Sequence, residues 1–127
     1  MVDQGSEQKK AIIVANASDI LIGQMKGFTV AGKKILIANV AGEYYCMDAI
    51  CSHAQGYLPA GRLDNDVVTC PVHGSQFDVT TGCMVIYIPG KVRRNVNLNC
   101  RLQAGHGIVD LGTYEVIVDG NEIKVLI

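Results

Sequence analysis

The chain has no surplus of positive charge, no long hydrophobic run and no even set of cysteines. Each absence closes off a class of function. Eleven Lys and Arg against twelve Asp and Glu give a net charge of −1. Such a balance offers no general attraction to phosphate backbones or anionic lipid, so no nucleic-acid partner is expected. The longest apolar runs, such as Ile35-Leu36-Ile37-Ala38, are far too short to span a bilayer, and no membrane span is expected. Residues 1 to 10 are polar and charged, without the apolar core of a leader peptide, so the expected location is cytoplasmic. Five cysteines do not suit the disulfide framework of a secreted domain. Also missing are a Ser/His/Asp arrangement, a glycine-rich phosphate loop and a paired-carboxylate constellation. Nothing therefore points to a small-molecule substrate or to catalysis by the chain itself.

What is present reads as one domain. With 49% apolar residues in 127, the chain is long enough to bury a core, and a single domain over 11–127 behind a polar tail 1–10 is expected. Short apolar or alternating segments are separated by glycine turns, with no sustained helical period and no internal repeat. Strands are expected at 11–15, 27–30, 34–40, 43–49, 67–69, 84–88, 114–118 and 122–127. Ala31-Gly32-Lys33, Ala41-Gly42 and Asp119-Gly120-Asn121 supply the hairpin turns. One short helical turn is expected near Ser18. Fourteen glycines at such turns, with β-branched residues between them, argue for an all-β antiparallel sandwich or barrel. Residues 92–112 read as a long loop or an extra hairpin.

Two short boxes carry the chemistry. Cys51-Ser52-His53 and Cys70-Pro71-Val72-His73 are separated by 16 residues, 54 to 69. Each pairs one thiolate with one imidazole. Two sulfurs and two nitrogens can hold one tetrahedral zinc, or they can divide between the two irons of a [2Fe–2S] core. Zinc boxes usually place two to four residues between paired ligands, and the one-residue gap between Cys51 and His53 fits that poorly. A mixed pair in each box suits two irons, with each loop giving one ligand to each, although zinc remains open on spacing alone. Gly56, Gly61 and Gly74 permit tight turns and close approach of backbone to such a centre, and Pro71 stiffens the second box.

The run Cys51-x-His53, 16 residues, Cys70-x-x-His73-Gly74-Ser75-x-Phe77-Asp78-x-x-Thr81-Gly82 resembles the Rieske-type [2Fe–2S] proteins. Leu58 and Gly61 also stand where that family tends to place them. The resemblance implies a Rieske-like antiparallel β-sandwich of two or three stacked sheets, with a cluster-binding tip formed by two loops. It implies one [2Fe–2S] cluster, with Cys51 and Cys70 on the inner iron and His53 and His73 on the outer. Ser75 would donate toward a bridging sulfide. The high-potential members carry an extra Cys in each box, joined as a disulfide, where this chain has Gly56 and Val72. They also have a Tyr where this chain has Phe77, which donates no hydrogen bond to a ligand sulfur. A potential toward the bottom of the Rieske range of about −150 to +300 mV is therefore expected.

The resemblance is to the soluble Rieske-type ferredoxins, the electron carriers of aromatic-ring dioxygenases and their archaeal relatives. It implies one-electron transfer from a reductase to an oxygenase or other redox partner. Val72 and Gln55 depart from the dioxygenase ferredoxins, many of which have Trp and Gly there. Two alternatives stand beside this reading. One is a non-catalytic Rieske-like subunit of a larger oxidoreductase such as a nitrite reductase; the other is a zinc-stapled interaction module. Cys46, Cys83 and Cys100 read as small buried hydrophobes, with a disulfide among them as the alternative, which sequence alone cannot pair. His106 reads as a solvated loop residue, and Arg93, Arg94 and Arg101 as a loop or a docking patch. Tyr57, Leu58 and Pro59 are expected to shield the cluster.

Overall fold

The computed structural model describes residues 10–51, 56–72, 74–83, 85–88, 91–94 and 111–127. Strand formation follows the turns. Ala31 and Gly32 have φ of 51° and 80°, and Ala41 and Gly42 have 55° and 95°. Positive φ at both central residues makes two-residue turns whose twist matches the flanking strands. They join β2 (Met25–Val30), β3 (Lys33–Val40) and β4 (Glu43–Asp48) into a meander. The fourth member, β10 (Thr113–Tyr114), returns from far along the chain to pair with β4.

A second sheet combines β1 (Ala11–Asn16), β12 (Glu122–Leu126) and β11 (Val116–Asp119), with β12 in the middle. A third, smaller sheet is made of β5 (Arg62–Asp64), β6 (Val67–Thr69) and β7 (Gln76–Asp78). A two-stranded ribbon pairs β8 (Val85–Ile88) with β9 (Lys91–Arg94). Among the described residues there is no α-helix, only 3-10 turns at Ala17–Asp19 and Leu58–Ala60. No helix among them is long and apolar enough to cross a membrane.

The three larger sheets stack around two cores. Ile35, Ile37 and Cys46 meet Ile123 and Val125 in one core. On the other face Leu36, Ala38 and Met47 meet Leu58, Val68, Phe77 and Val79. The run Ile35-Leu36-Ile37-Ala38 is thus apolar because β3 is buried on both faces. One polar side chain, Asn39, is buried beside it and is satisfied. Its Nδ2 donates to the Ile20 carbonyl at 2.9 Å, and its Oδ1 accepts from Gly42 N–H at 2.9 Å.

Some expected boundaries moved. β2 starts at Met25 rather than at 27, and β4 ends at Asp48 rather than at 49; Met84, the expected start of a later strand, lies outside the described residues. The expected strand 114–118 divides between two sheets. Tyr114 pairs with Cys46 in one, and Val116 pairs with Val125 in the other. Of the stretch 92–112, Val92, Arg93 and Arg94 belong to β9 and pair with β8, and residues 95–110 lie outside the described residues. Cys100, Arg101 and His106 lie outside the described residues, and so do Ser52, His53, Gln55 and His73.

Candidate metal centre

Both box cysteines sit at the foot of a loop closed in the same way. Cys51 N–H donates to the Gly56 carbonyl at 2.9 Å, and Cys70 N–H donates to the Ser75 carbonyl at 2.7 Å. Each bond spans five residues, and each thiol is buried, with Cys51 and Cys70 at 0% and 1% exposure. Both are free cysteines and both belong to the core that contains Leu58, Val68 and Phe77. Two buried soft donors in one cluster, neither oxidised to a disulfide, form half of a thiolate and imidazole donor set.

The first loop, 51–56, grows out of β4. Ala49 N–H donates to the Lys34 carbonyl at 3.0 Å, and Leu58 N–H donates to the Ala49 carbonyl at 2.8 Å. An antiparallel bridge between Ile50 and Tyr57 closes the neck. The second loop, 70–75, is the tip of the hairpin between β6 and β7. Thr69 faces Gln76 there, and Gln76 Nε2 donates to Thr69 Oγ1 at 2.9 Å. Gly74 takes φ of +79°, which favours glycine, and its N–H donates to the Cys70 carbonyl at 3.0 Å.

The loops touch through glycines. A Cβ on Gly56 would lie 2.5 Å from Cys70 Sγ and 2.7 Å from Val72 Cγ2. One on Gly61 would overlap the Thr69 carbonyl oxygen and lie 3.1 Å from Pro71 Cδ. Only hydrogen at these positions lets the first loop lie on the second. Pro71, Val72 and Gly74 are exposed and Ser75 is half-buried, while Phe77 is fully buried beneath the loops. Tyr57 is 43% exposed and Leu58 is fully buried, so of this pair only Leu58 is sealed in the core.

Two supporting groups carried no signal in the boxes. Asp48, three residues before Cys51, accepts from Tyr114 Oη at 2.6 Å and from Gly112 N–H at 2.9 Å, while its own N–H donates to the Gly112 carbonyl at 3.0 Å. The Tyr114 pKa is raised, first by burial and then by its hydrogen bond to Asp48. Neighbouring Cys46 is a buried thiol, as expected, and burial ahead of the Asp48 charge pushes its pKa up to about 12. Such a group stays protonated and inert.

Cys83 corrects the reading of it as a plain buried thiol. It is buried but disulfide-bonded, with its partner outside the described residues. Sequence spacing carries no information about pairing, because a disulfide needs only Cα atoms brought close by the fold. Gly82, beside it, accepts from Leu111 N–H at 2.9 Å.

Comparison with known proteins agrees with this geometry. The Rieske [2Fe-2S] domain matches residues 10–111. The ferredoxin component of the naphthalene 1,2-dioxygenase system of Pseudomonas putida is 42% identical over 65 residues, 51% of this chain and 62% of that protein. Sulredoxin of Sulfurisphaera tokodaii is 49% identical over 55 residues, 42% of this chain and 49% of that protein. The chain thus spans less than two thirds of the length of these relatives. Among solved structures, the ferredoxin of carbazole 1,9a-dioxygenase from Nocardioides aromaticivorans IC177 superposes with a TM-score of 0.70 at 27% identity, covering 91% of this chain and 96% of that one.

The donor chemistry of the two loops fits the family's cofactor. Two free, buried thiols stand on adjoining loops, and Gly56 leaves Cys70 Sγ unobstructed. Two thiols alone would suit zinc as well, and it is the match to the Rieske domain that sets the zinc alternative aside in favour of one [2Fe–2S] cluster. This chain belongs to the Rieske [2Fe-2S] domain family.

Proposed function

We propose that the chain is a soluble one-electron carrier that takes electrons from a reductase and passes them to an oxygenase or a similar redox partner. The observation that carries this reading is the pair of buried, free cysteines on two identically closed loops. The ferredoxin components among its relatives, and the superposition on a dioxygenase ferredoxin, support it. Cys51 and Cys70 would hold one iron, and His53 and His73 the other. The cluster supplies reversible one-electron redox chemistry.

The chain's own residues exclude water from the thiolate side through Leu58 and Phe77, while Tyr57 and Val72 remain at the surface. A low potential belongs to the same reading. Phe77 offers only carbon to the buried side of the site. A Cβ at Gly56 would lie 3.4 Å from Val72 Cβ, but neither residue carries a thiol. Lost donors leave the extra electron of the reduced state less stabilised. The reading includes a single domain over 11–127. It also includes a cytoplasmic location, which suits the three free cysteines better than the Cys83 disulfide.

The experiment is reconstitution of electron flow. The purified chain is assayed for iron and acid-labile sulfide, then titrated by film voltammetry and by EPR of the reduced state. Next it is mixed with a ring-hydroxylating oxygenase and its reductase. Two irons per chain, a mixed N/S signature, a midpoint well below +100 mV (the upper part of the range of about −150 to +300 mV) and faster reduction of the oxygenase are expected. A colourless, EPR-silent protein overturns the reading.

A further inference from the structure

A glycine on a distant strand lies under the first ligand loop. Gly27 sits in β2, the edge strand of the four-stranded sheet, and pairs with Leu36. Leu36 and neighbouring Met25 both face the core that holds Cys51 and Cys70, so Gly27 looks toward that core as well. A Cβ there would overlap the Tyr57 hydroxyl oxygen, and it would lie 2.8 Å from both Tyr57 Cζ and Pro59 Cγ. The Tyr57 ring thus lies across bare backbone at Gly27. Tyr57 directly follows Gly56, whose carbonyl closes the loop on Cys51, and Tyr57 is also the bridge partner of Ile50. Glycine is depleted in strands, and its occurrence inside one marks a close approach by another group.

We infer that Gly27 is a positioning residue for the metal centre: it forms a slot that seats Tyr57 and so fixes the height of the loop carrying Cys51 above the sheet. The inference rests on the proposed ligand role of Cys51. Tyr57 spans from the slot to the base of the loop, where its bridge to Ile50 and the adjacent Cys51–Gly56 bond tie the ring to Cys51. A side chain at position 27 would lift the ring, and the loop would follow. The three atoms nearest that Cβ all belong to Tyr57 and Pro59, so the disturbance falls first on the side of the centre that carries Cys51. An asymmetric shift of one ligand pair changes the electronic structure of a cluster without removing a ligand.

Gly27→Ala, Tyr57→Ala and their combination, made in the full chain, test this, with Thr29→Ala as an exposed control on the same strand. Iron and sulfide content, EPR g values, midpoint potential and amide hydrogen exchange over residues 49–58 are measured for each. In Gly27→Ala, exchange over 49–58 should accelerate on the order of tenfold, as expected for mild overpacking. The g values and midpoint should move while Thr29→Ala leaves them in place. In the Tyr57→Ala background the effect of Gly27→Ala should largely vanish, because Pro59 can yield by ring pucker. If Gly27→Ala fails to take up iron, adding Tyr57→Ala should restore loading.

Unchanged exchange and g values in Gly27→Ala, or an equal effect in both backgrounds, overturn the inference. A failure of the double variant to restore loading overturns it too. Absence of iron and sulfide from the wild-type chain overturns the carrier reading instead, and the exchange measurement still decides the seat.

Discussion

The two proposed ligand loops share a closing bond and a buried cysteine, yet they stand on different foundations. The second is local. It is the tip of a hairpin, and its supports, from Thr69 to Gln76, lie within a few residues of the cysteine. The first is held from a distance: by Lys34 on β3, by Gly27 on β2, and through Asp48 by Gly112 and Tyr114. A hairpin tip can form as soon as its strands meet. A loop braced by three remote segments needs the surrounding sheets in place. Half of the proposed metal centre is therefore a local structure, and the other half reports on the whole domain.

The comparison can be broken most sharply at the cysteines. Cys51→Ser and Cys70→Ser should each abolish iron and sulfide binding, measured by colorimetric assay and visible absorbance. Retention of half the iron in either variant would show that the loops load independently.

The next largest effect separates contact between the loops from backbone strain. Gly56→Ala places a methyl against Cys70 Sγ and Val72; it should cost about 1–3 kcal/mol and lower the iron content. Gly74→Ala has open space around the added methyl and only its positive φ to overcome. It should cost about 1–2 kcal/mol with full iron content. Urea unfolding and iron assays on both variants distinguish the two cases.

The smallest effect is alkaline. Cys46, whose pKa rises from the ordinary 9.0 to about 12, and Tyr114, raised above its ordinary 10.0, hold their protons longer in the folded chain than in the unfolded one. Above pH 9 the unfolded state binds fewer protons. The stability these groups contribute is thus complete below 9 and declines as pH rises toward 12. Both flank Asp48, so amide exchange over residues 49–58 should accelerate in this window before exchange over 70–76 does. Cys46→Ala should flatten the lower part of the decline.

The same division explains what the sequence made legible. The second loop is visible in Cys70-Pro71-Val72-His73-Gly74 because ligands, turn residues and flanking Val67-Val68-Thr69 are contiguous. Three hairpins were readable for the same reason, their signal residing in two or three neighbouring residues. The Asp48–Tyr114 clamp was not, because a single hydrogen bond across 66 positions has no periodicity. The Cys83 disulfide left no mark on spacing either. The division of 114–118 between two sheets escaped because alternation shows that a strand exists, not which neighbour it joins. Gly27 was not legible either, because it opened the expected strand at 27–30, whereas β2 starts at Met25 and leaves it inside the strand beneath Tyr57.

The burial of β3 on both faces has a further consequence for folding fidelity. In a strand with one wet face, a slip by one residue exposes the apolar set and is penalised at once. Along Ile35-Leu36-Ile37-Ala38 a slip would merely exchange one apolar set for another, so composition cannot police the alignment. Alignment then depends on the turns at both ends, Ala31-Gly32 and Ala41-Gly42, and on Asn39, whose amide would lose its partners if displaced. Lengthening either turn by one residue would therefore yield a well-buried but mispaired meander, one that keeps its hydrophobic cores and loses its metal.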